Sequence, residues 1–91
     1  MDETSVVRVR YWAAAKAAAG TAEDLLQVTG PLSLAEVRRL SAALHPGTRL
    51  AQVLDACSVL IGDQPAGSRP ADEVQVDPGS SVEFLPPFAG G

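Results

Sequence analysis

The sequence has few of the side chains that catalysis, metal binding and disulfide formation require. Its 91 residues include one cysteine, Cys57, one histidine, His45, and one lysine, Lys16. A single cysteine excludes an internal disulfide and a cysteine-based zinc site, and it fits a reducing compartment. We therefore expect a cytoplasmic protein that binds no metal and is not itself an enzyme.

Aromatic residues and long apolar runs are also scarce. Aromatics make up 4% of the residues against 46% for all apolar residues, so the core must be largely aliphatic. No apolar run approaches the roughly 18 residues of a membrane span, and Met1–Ser5 is too acidic for a secretion signal. A net charge of −4 disfavours binding to nucleic acids and to anionic membranes. The length allows one small domain.

Two segments show the alternation of half-buried strands. Val6–Trp12 alternates apolar residues with arginines and predicts the first strand. Ser81–Leu85 follows the turn-forming Asp77–Gly79 and predicts the last strand. Weaker patterns predict strands at 22–29 and 58–61. On the strand faces opposite the core, alternation places three large apolar residues: Trp12, Leu60 and Leu85.

Between these strands the sequence predicts helices. Ser33 and Glu36 have the spacing of a capping box, and an apolar stripe follows at Leu34, Val37, Leu40 and Leu44. Polar residues of this helix are expected off the stripe: Arg38, Arg39 and Ser41. The alanine-rich segment 13–19 predicts a short helix stopped by Gly20, and 49–56 predicts a further turn or two.

The element order is strand, strand, helix, strand, strand, which predicts an α+β fold. If the last strand pairs beside the first, the two form the middle of a mixed sheet packed on one main helix. This arrangement is the ubiquitin-like β-grasp.

The sequence ends with a distinctive tail, Pro86-Pro87-Phe88-Ala89-Gly90-Gly91. The prolines cannot donate to a β-ladder, so the sheet should end near Leu85 and the chain should leave it in a stiff, extended form. Six extended residues reach about 20 Å. Because Gly90 and Gly91 have no Cβ, they can enter a channel too narrow for other residues. The α-carboxylate of Gly91 is then the expected reactive group.

Three segments together resemble the ubiquitin-like sulfur carriers, specifically the MoaD-type small subunits of molybdopterin synthase. Val7–Lys16 with Ala19-Gly20 is similar to the first strand and short helix of that family. Ser33–Val37 is similar to the start of its central helix, and Ser81–Gly91 to its last strand and tail. The resemblance extends from about Val6 to Gly91.

The resemblance implies that residues 1–91 form a single β-grasp sulfur-carrier domain with residues 86–91 as its functional tail. It implies that an E1-like enzyme adenylates Gly91 with ATP, that a persulfide donor supplies sulfur, and that the resulting thiocarboxylate delivers sulfur to a pterin precursor. No cofactor is then bound by the chain itself. Five residues would guide Gly91 into partner active sites: Pro86, Pro87, Phe88, Ala89 and Gly90.

Two partners follow from the resemblance: the E1-like adenylating or sulfurtransferase enzyme, and the large subunit of molybdopterin synthase in a heterotetramer. Trp12, Leu60 and Leu85 are the residues expected to dock on the large subunit. Three alternatives remain open: a sulfur carrier for thiamine thiazole, cysteine or tungsten-cofactor synthesis, a protein modifier conjugated through Gly91 to lysines, and an interaction module with an inert tail.

The remaining reactive residues have structural interpretations. Cys57 has no neighbouring base or second cysteine and is expected to act as a small buried hydrophobe. His45 precedes Pro46 at a predicted helix end and is expected to cap the helix or lie on the surface. Lys16 is expected on a solvated face. Asp72, Glu73 and Asp77 match no calcium-loop spacing.

Overall fold

The computed structural model describes residues 5–87. The main sheet is mixed and contains five strands: β1 (Ser5–Tyr11), β2 (Glu23–Val28), β4 (Ser58–Ile61), β5 (Gln64–Pro65) and β7 (Ser81–Leu85). Their order across the sheet is β2-β1-β7-β4-β5. A separate two-stranded ladder joins β3 (Leu32–Ser33) to β6 (Gln75–Val76). The helices are α1 (Ala13–Ala19), α2 (Leu34–Ala43) and α3 (Leu50–Ala56), and a 3₁₀ turn covers Ala71–Glu73.

The first and last strands pair as predicted. β1 and β7 run parallel, with Val9 opposite Val82 and Tyr11 opposite Phe84. β2 and β4 flank this pair with antiparallel pairing. The turn before β7 is held against β1, because the Gly79 N–H donates to the Val6 carbonyl at 2.9 Å. Gly79 has a φ of +88°, which a residue without a Cβ adopts at low cost. The predicted α+β sheet and β-grasp arrangement are confirmed.

One face of the sheet and three helices enclose an aliphatic core with two aromatic rings. The inward residues of β1 and β7 are fully buried or nearly so: Val7, Val9, Tyr11, Val82 and Phe84. Against them pack the buried residues of two helices: Leu34 and Val37 from α2, and Leu50 and Leu54 from α3. The alternation predicted for both strands is therefore confirmed.

The prediction of which α2 residues face the core is partly wrong. Leu44 is 51% exposed, because α2 ends at Ala43 and Leu44 only caps it. Ser41, predicted off the apolar stripe, is fully buried. It lies seven residues after Leu34 and four after Val37, which returns a helix to the same face. Position on the helix, rather than polarity, determines which residue is buried here.

Ser33 caps α2 as its spacing predicts. Its Oγ accepts a hydrogen bond from the Glu36 backbone N–H at 3.0 Å, whereas the Glu36 carboxylate pairs with Arg39. Because the cap satisfies an otherwise free backbone donor, Ser33→Ala is expected to lower the free energy of unfolding by about 1 kcal/mol. Urea denaturation measures this difference. Ser68→Ala is the control, since Ser68 is exposed in a loop, and equal stability of the two variants would contradict the cap.

Candidate functional site

The tail leaves the sheet from its central strand. β7 ends at Leu85, which pairs with Ser58 of β4, and the neighbouring Phe84 carbonyl accepts a hydrogen bond from the Trp12 N–H at 3.1 Å. Pro86 and Pro87 follow, and both are exposed. The sheet thus ends where the two prolines predict, and the chain is held from both sides up to that point. Four predicted site residues lie outside the described residues: Phe88, Ala89, Gly90 and Gly91.

The root of the tail is the point where the chain leaves β7 after Leu85. The three predicted docking residues lie around this root, on the outer side of the sheet. Leu60 lies directly across from Glu83 in the register of β4 and β7, and Leu85 follows two residues later on the same face as Glu83. Both leucines are half-buried, whereas Trp12 is 42% exposed. The face predicted for these residues agrees with the structure, and their role in docking stays a prediction.

Two charged residues that the sequence interpretation did not assign to the site contact Trp12. The Trp12 indole Nε1–H donates to a Glu83 carboxylate oxygen at 3.0 Å. The guanidinium carbon of Arg10 lies over the indole ring, 5.4 Å from its centroid. Arg10 and Glu83 face each other across β1 and β7. Strand alternation places both on the outer face, which is the signal that points to them, but only the pairing of the strands brings them together.

The backbone at Trp12 is also constrained. The Trp12 carbonyl accepts from the Ala15 N–H at 3.0 Å and so begins α1. Ala13 has a φ of +51°, in the left-handed region that costs a residue with a Cβ about 1–2 kcal/mol. The chain therefore reverses abruptly from β1 into α1, and this reversal presents the indole beside the tail root.

An apolar cleft of about 380 Å³ lies between α1 and α3 at the root of the tail. The residues that line it include Trp12, Val53 and Cys57, together with Pro86 and Pro87. The two tail prolines therefore border an apolar cleft.

Cys57 is half-buried in this cleft, so it is less enclosed than the sequence interpretation predicts. Its thiol donates to the Val53 carbonyl at 3.2 Å. Burial raises the pKa of the Cys57 thiol, and the nearby Arg38 charge offsets this only in part. A raised pKa leaves less thiolate at neutral pH, which makes Cys57 a poor relay for sulfur.

Alkylation kinetics test this property of Cys57. At pH 8 the native protein is expected to react with iodoacetamide more slowly than the same protein in urea, because the folded thiol is half-buried and burial raises its pKa. The thiol content over time measures both rates. Equal rates in the two states would show that Cys57 is an accessible nucleophile.

The prediction that His45 only caps a helix or lies free on the surface is wrong. Its Nε2 lies 2.6 Å from a carboxylate oxygen of Asp24, and the same oxygen accepts from the Tyr11 hydroxyl at 2.8 Å. The His45 ring also meets Tyr11 edge to face, with centroids 6.2 Å apart. Burial, together with the Asp24 carboxylate, raises the pKa of Tyr11. The cluster joins β1, β2 and the end of α2, and it closes one end of the core.

Within residues 5–87 there is no group of three or more histidine, cysteine or acidic side chains placed to hold a metal ion. No helix in that range is long and apolar enough to cross a bilayer. The expectations that the chain binds neither metal nor membrane stay predictions.

The sequence is similar along its whole length to a curated protein of Aspergillus niger, a molybdopterin synthase sulfur carrier subunit. The two are 26% identical over 91 residues, which cover 100% of each. The resemblance to the MoaD-type sulfur carriers is confirmed. No family model matches the chain.

Solved structures agree on the ubiquitin-like β-grasp fold. The small archaeal modifier protein 1 from Methanosarcina acetivorans superposes with a TM-score of 0.72, at 20% identity, over 98% of this chain and 99% of that one. The complex of subunits 1 and 2 of molybdopterin-converting factor from Helicobacter pylori includes a chain that superposes with a TM-score of 0.60, at 21% identity. The superposition covers 94% of this chain and 99% of that one. At these identities the likeness concerns the fold, and it includes a protein named as a modifier as well as a subunit of molybdopterin-converting factor.

Proposed function

We propose that this protein is the sulfur carrier of molybdopterin synthase. The observation that carries the proposal is the position of Pro86 and Pro87, exposed at the end of the central strand and followed in the sequence by Phe88-Ala89-Gly90-Gly91. The similarity of the whole chain to a named sulfur carrier subunit supports the same role. The protein itself is not a catalyst in this proposal, and it supplies a reactive terminus to enzymes that are.

The chemistry takes place at the carboxylate of Gly91. A carboxylate is a poor acyl donor, so a partner E1-like enzyme joins it to AMP from ATP and releases pyrophosphate. A persulfide sulfur then attacks the carbonyl carbon and AMP leaves. Cleavage of the new S–S bond by a thiol yields the thiocarboxylate and a disulfide. The ATP site belongs to the partner, and the thiols required place these steps in a reducing compartment such as the cytoplasm.

In the second stage the loaded tail enters the active site of the large subunit. Glycines at positions 90 and 91 allow passage through a narrow channel, and Phe88 and Ala89 span the distance from the prolines. The docking surface consists of Trp12, Leu60 and Leu85 around the tail root. A heterotetramer of two carriers on a dimer of large subunits is the proposed assembly.

Single-turnover sulfur transfer tests the pathway. Thiocarboxylated protein is mixed with purified large subunit and the sulfur-free pterin precursor, and both the protein and the pterin are analysed by mass spectrometry. We expect the protein to return to a carboxylate as the pterin gains sulfur, and bovine serum albumin in place of the large subunit should give no transfer.

Two results would contradict the pathway. Stable thiocarboxylate after long incubation with an active large subunit would exclude molybdopterin synthesis as the destination of the sulfur. Isopeptide adducts between Gly91 and lysines of other proteins, formed in place of pterin sulfuration, would identify a protein modifier.

A further inference from the structure

Three side chains on the outer face of the sheet interlock beside the tail root: Arg10, Trp12 and Glu83. The Trp12 indole donates to Glu83 at 3.0 Å, and the Arg10 guanidinium covers the ring at 5.4 Å from its centroid. Arg10 and Glu83 occupy opposite positions on the two central strands. The indole is therefore held at its edge by the hydrogen bond to Glu83 and on one ring face by the Arg10 cation.

An exposed tryptophan normally samples several rotamers, and a partner must fix one of them on binding. Fixing a large side chain costs about 2- to 10-fold in affinity. Trp12 is 42% exposed, yet its indole already has two partners and its backbone N–H and carbonyl are both bonded. These contacts favour one orientation of the side chain in the absence of a partner.

We propose that Glu83 is a positioning residue, which, together with Arg10, holds Trp12 in the orientation that the large subunit binds. This inference rests on the docking role of Trp12 in the proposed function. Because Glu83 already accepts the indole N–H, the partner's pocket for Trp12 needs no hydrogen-bond acceptor of its own. Such a pocket is apolar and contacts the part of the ring that Arg10 leaves open.

The experiment measures binding of the purified large subunit to the full-length protein and its variants by titration calorimetry. Trp12→Ala removes the anchor and is expected to weaken binding about 30-fold or more. Glu83→Ala leaves the indole in place without its hydrogen bond and is expected to weaken binding about 2- to 10-fold. Glu83→Gln still offers an acceptor oxygen and should stay within about twofold of the unmodified protein. Glu73→Ala is the charge-matched control, since Glu73 is exposed in the 3₁₀ turn.

A second measurement needs no partner. Trp12 is the one tryptophan of the sequence, so intrinsic fluorescence reports on this side chain alone. Glu83→Ala is expected to lower the fluorescence anisotropy of the free protein and to increase quenching by acrylamide, whereas Glu83→Gln and Glu73→Ala should change neither. Thermal unfolding of each variant shows that the fold is retained.

The outcomes separate this inference from the proposed function. Normal binding by Glu83→Ala, together with strong loss by Trp12→Ala, would overturn the positioning role and leave the docking role of Trp12 intact. A loss from Glu83→Ala that persists in the Trp12→Ala background would also overturn it, because Glu83 would then contact the partner directly. Normal binding by Trp12→Ala would refute the proposed docking surface and this inference with it.

Discussion

Deletion of Gly91 is expected to lower the rate of thiocarboxylate formation at least about 100-fold without changing the stability of the fold. The truncated chain still ends in a carboxylate, but this group lies about 3.3 Å short of its former position. Misplacement of a reacting group by even about 1 Å can cost about 100-fold in rate. Initial rates with the adenylating enzyme, ATP and a sulfur donor, followed by mass spectrometry, measure the loss.

The control for this deletion is removal of residues 2–4 at the opposite end of the chain, which should leave the rate unchanged. Thermal unfolding of both truncated proteins should match that of the full chain. If the protein without Gly91 is loaded at the normal rate, then the proposed requirement for Gly91 is wrong.

Phe84→Ala is expected to destabilise the fold by about 3–5 kcal/mol, the largest effect on stability that we predict. Phe84 is fully buried on the central strand, stacks on Tyr11 with ring centroids 6.3 Å apart and lies opposite Val59 of β4. A domain of this size has a total stability of only about 5–14 kcal/mol, so the variant should be close to unfolding at room temperature. Urea denaturation followed by circular dichroism measures the change.

Leu25→Ala provides the comparison, because Leu25 lies on β2 at the sheet edge and is 57% exposed. We expect Leu25→Ala to lower the free energy of unfolding by less than about 1 kcal/mol. A loss of stability below about 1.5 kcal/mol for Phe84→Ala would contradict the tight packing of this ring in the core.

The parts of the fold that depend on local signals could be predicted from the sequence. Strand alternation in β1 and β7 needs only neighbouring residues, and both strands match their predicted bounds to within one residue. The cap at Ser33 and the left-handed stop at Gly20 are equally local. The pairing of the two terminal strands came from the order of the elements and is confirmed.

One local error concerns α2, where Leu44 is exposed and Ser41 is buried. Other errors concern contacts between distant segments. The position of His45 before Pro46 predicts a helix cap or a surface residue, yet Asp24 on β2, 21 residues earlier, binds it. The β3–β6 ladder joins Leu32 to Val76, and strands of two residues leave no periodic pattern to detect. The residues next to His45 or in β3 therefore do not indicate which distant residues they contact.

In the candidate site, too, the features that depend on local sequence are predicted and the contacts between distant residues are not. The residue types of the tail predict a stiff Pro-Pro exit followed by residues without side chains, and the resemblance to the sulfur carriers implies the chemistry at Gly91. The roles of Arg10 and Glu83 at Trp12 were not predicted, because the indole meets a carboxylate 71 residues away. Only the parallel register of β1 and β7 brings these three side chains together.

Sulfur loading at Gly91 is tested by intact-mass analysis of the protein after incubation with an adenylating enzyme, ATP and a persulfide donor. We expect one carboxylate oxygen to be replaced by sulfur, and fragmentation must place the change on Gly91, because oxidation of Met1 or Cys57 adds nearly the same mass. If Gly91 keeps its unmodified carboxylate under conditions in which the same enzymes load an established sulfur carrier, then this protein is not a sulfur carrier.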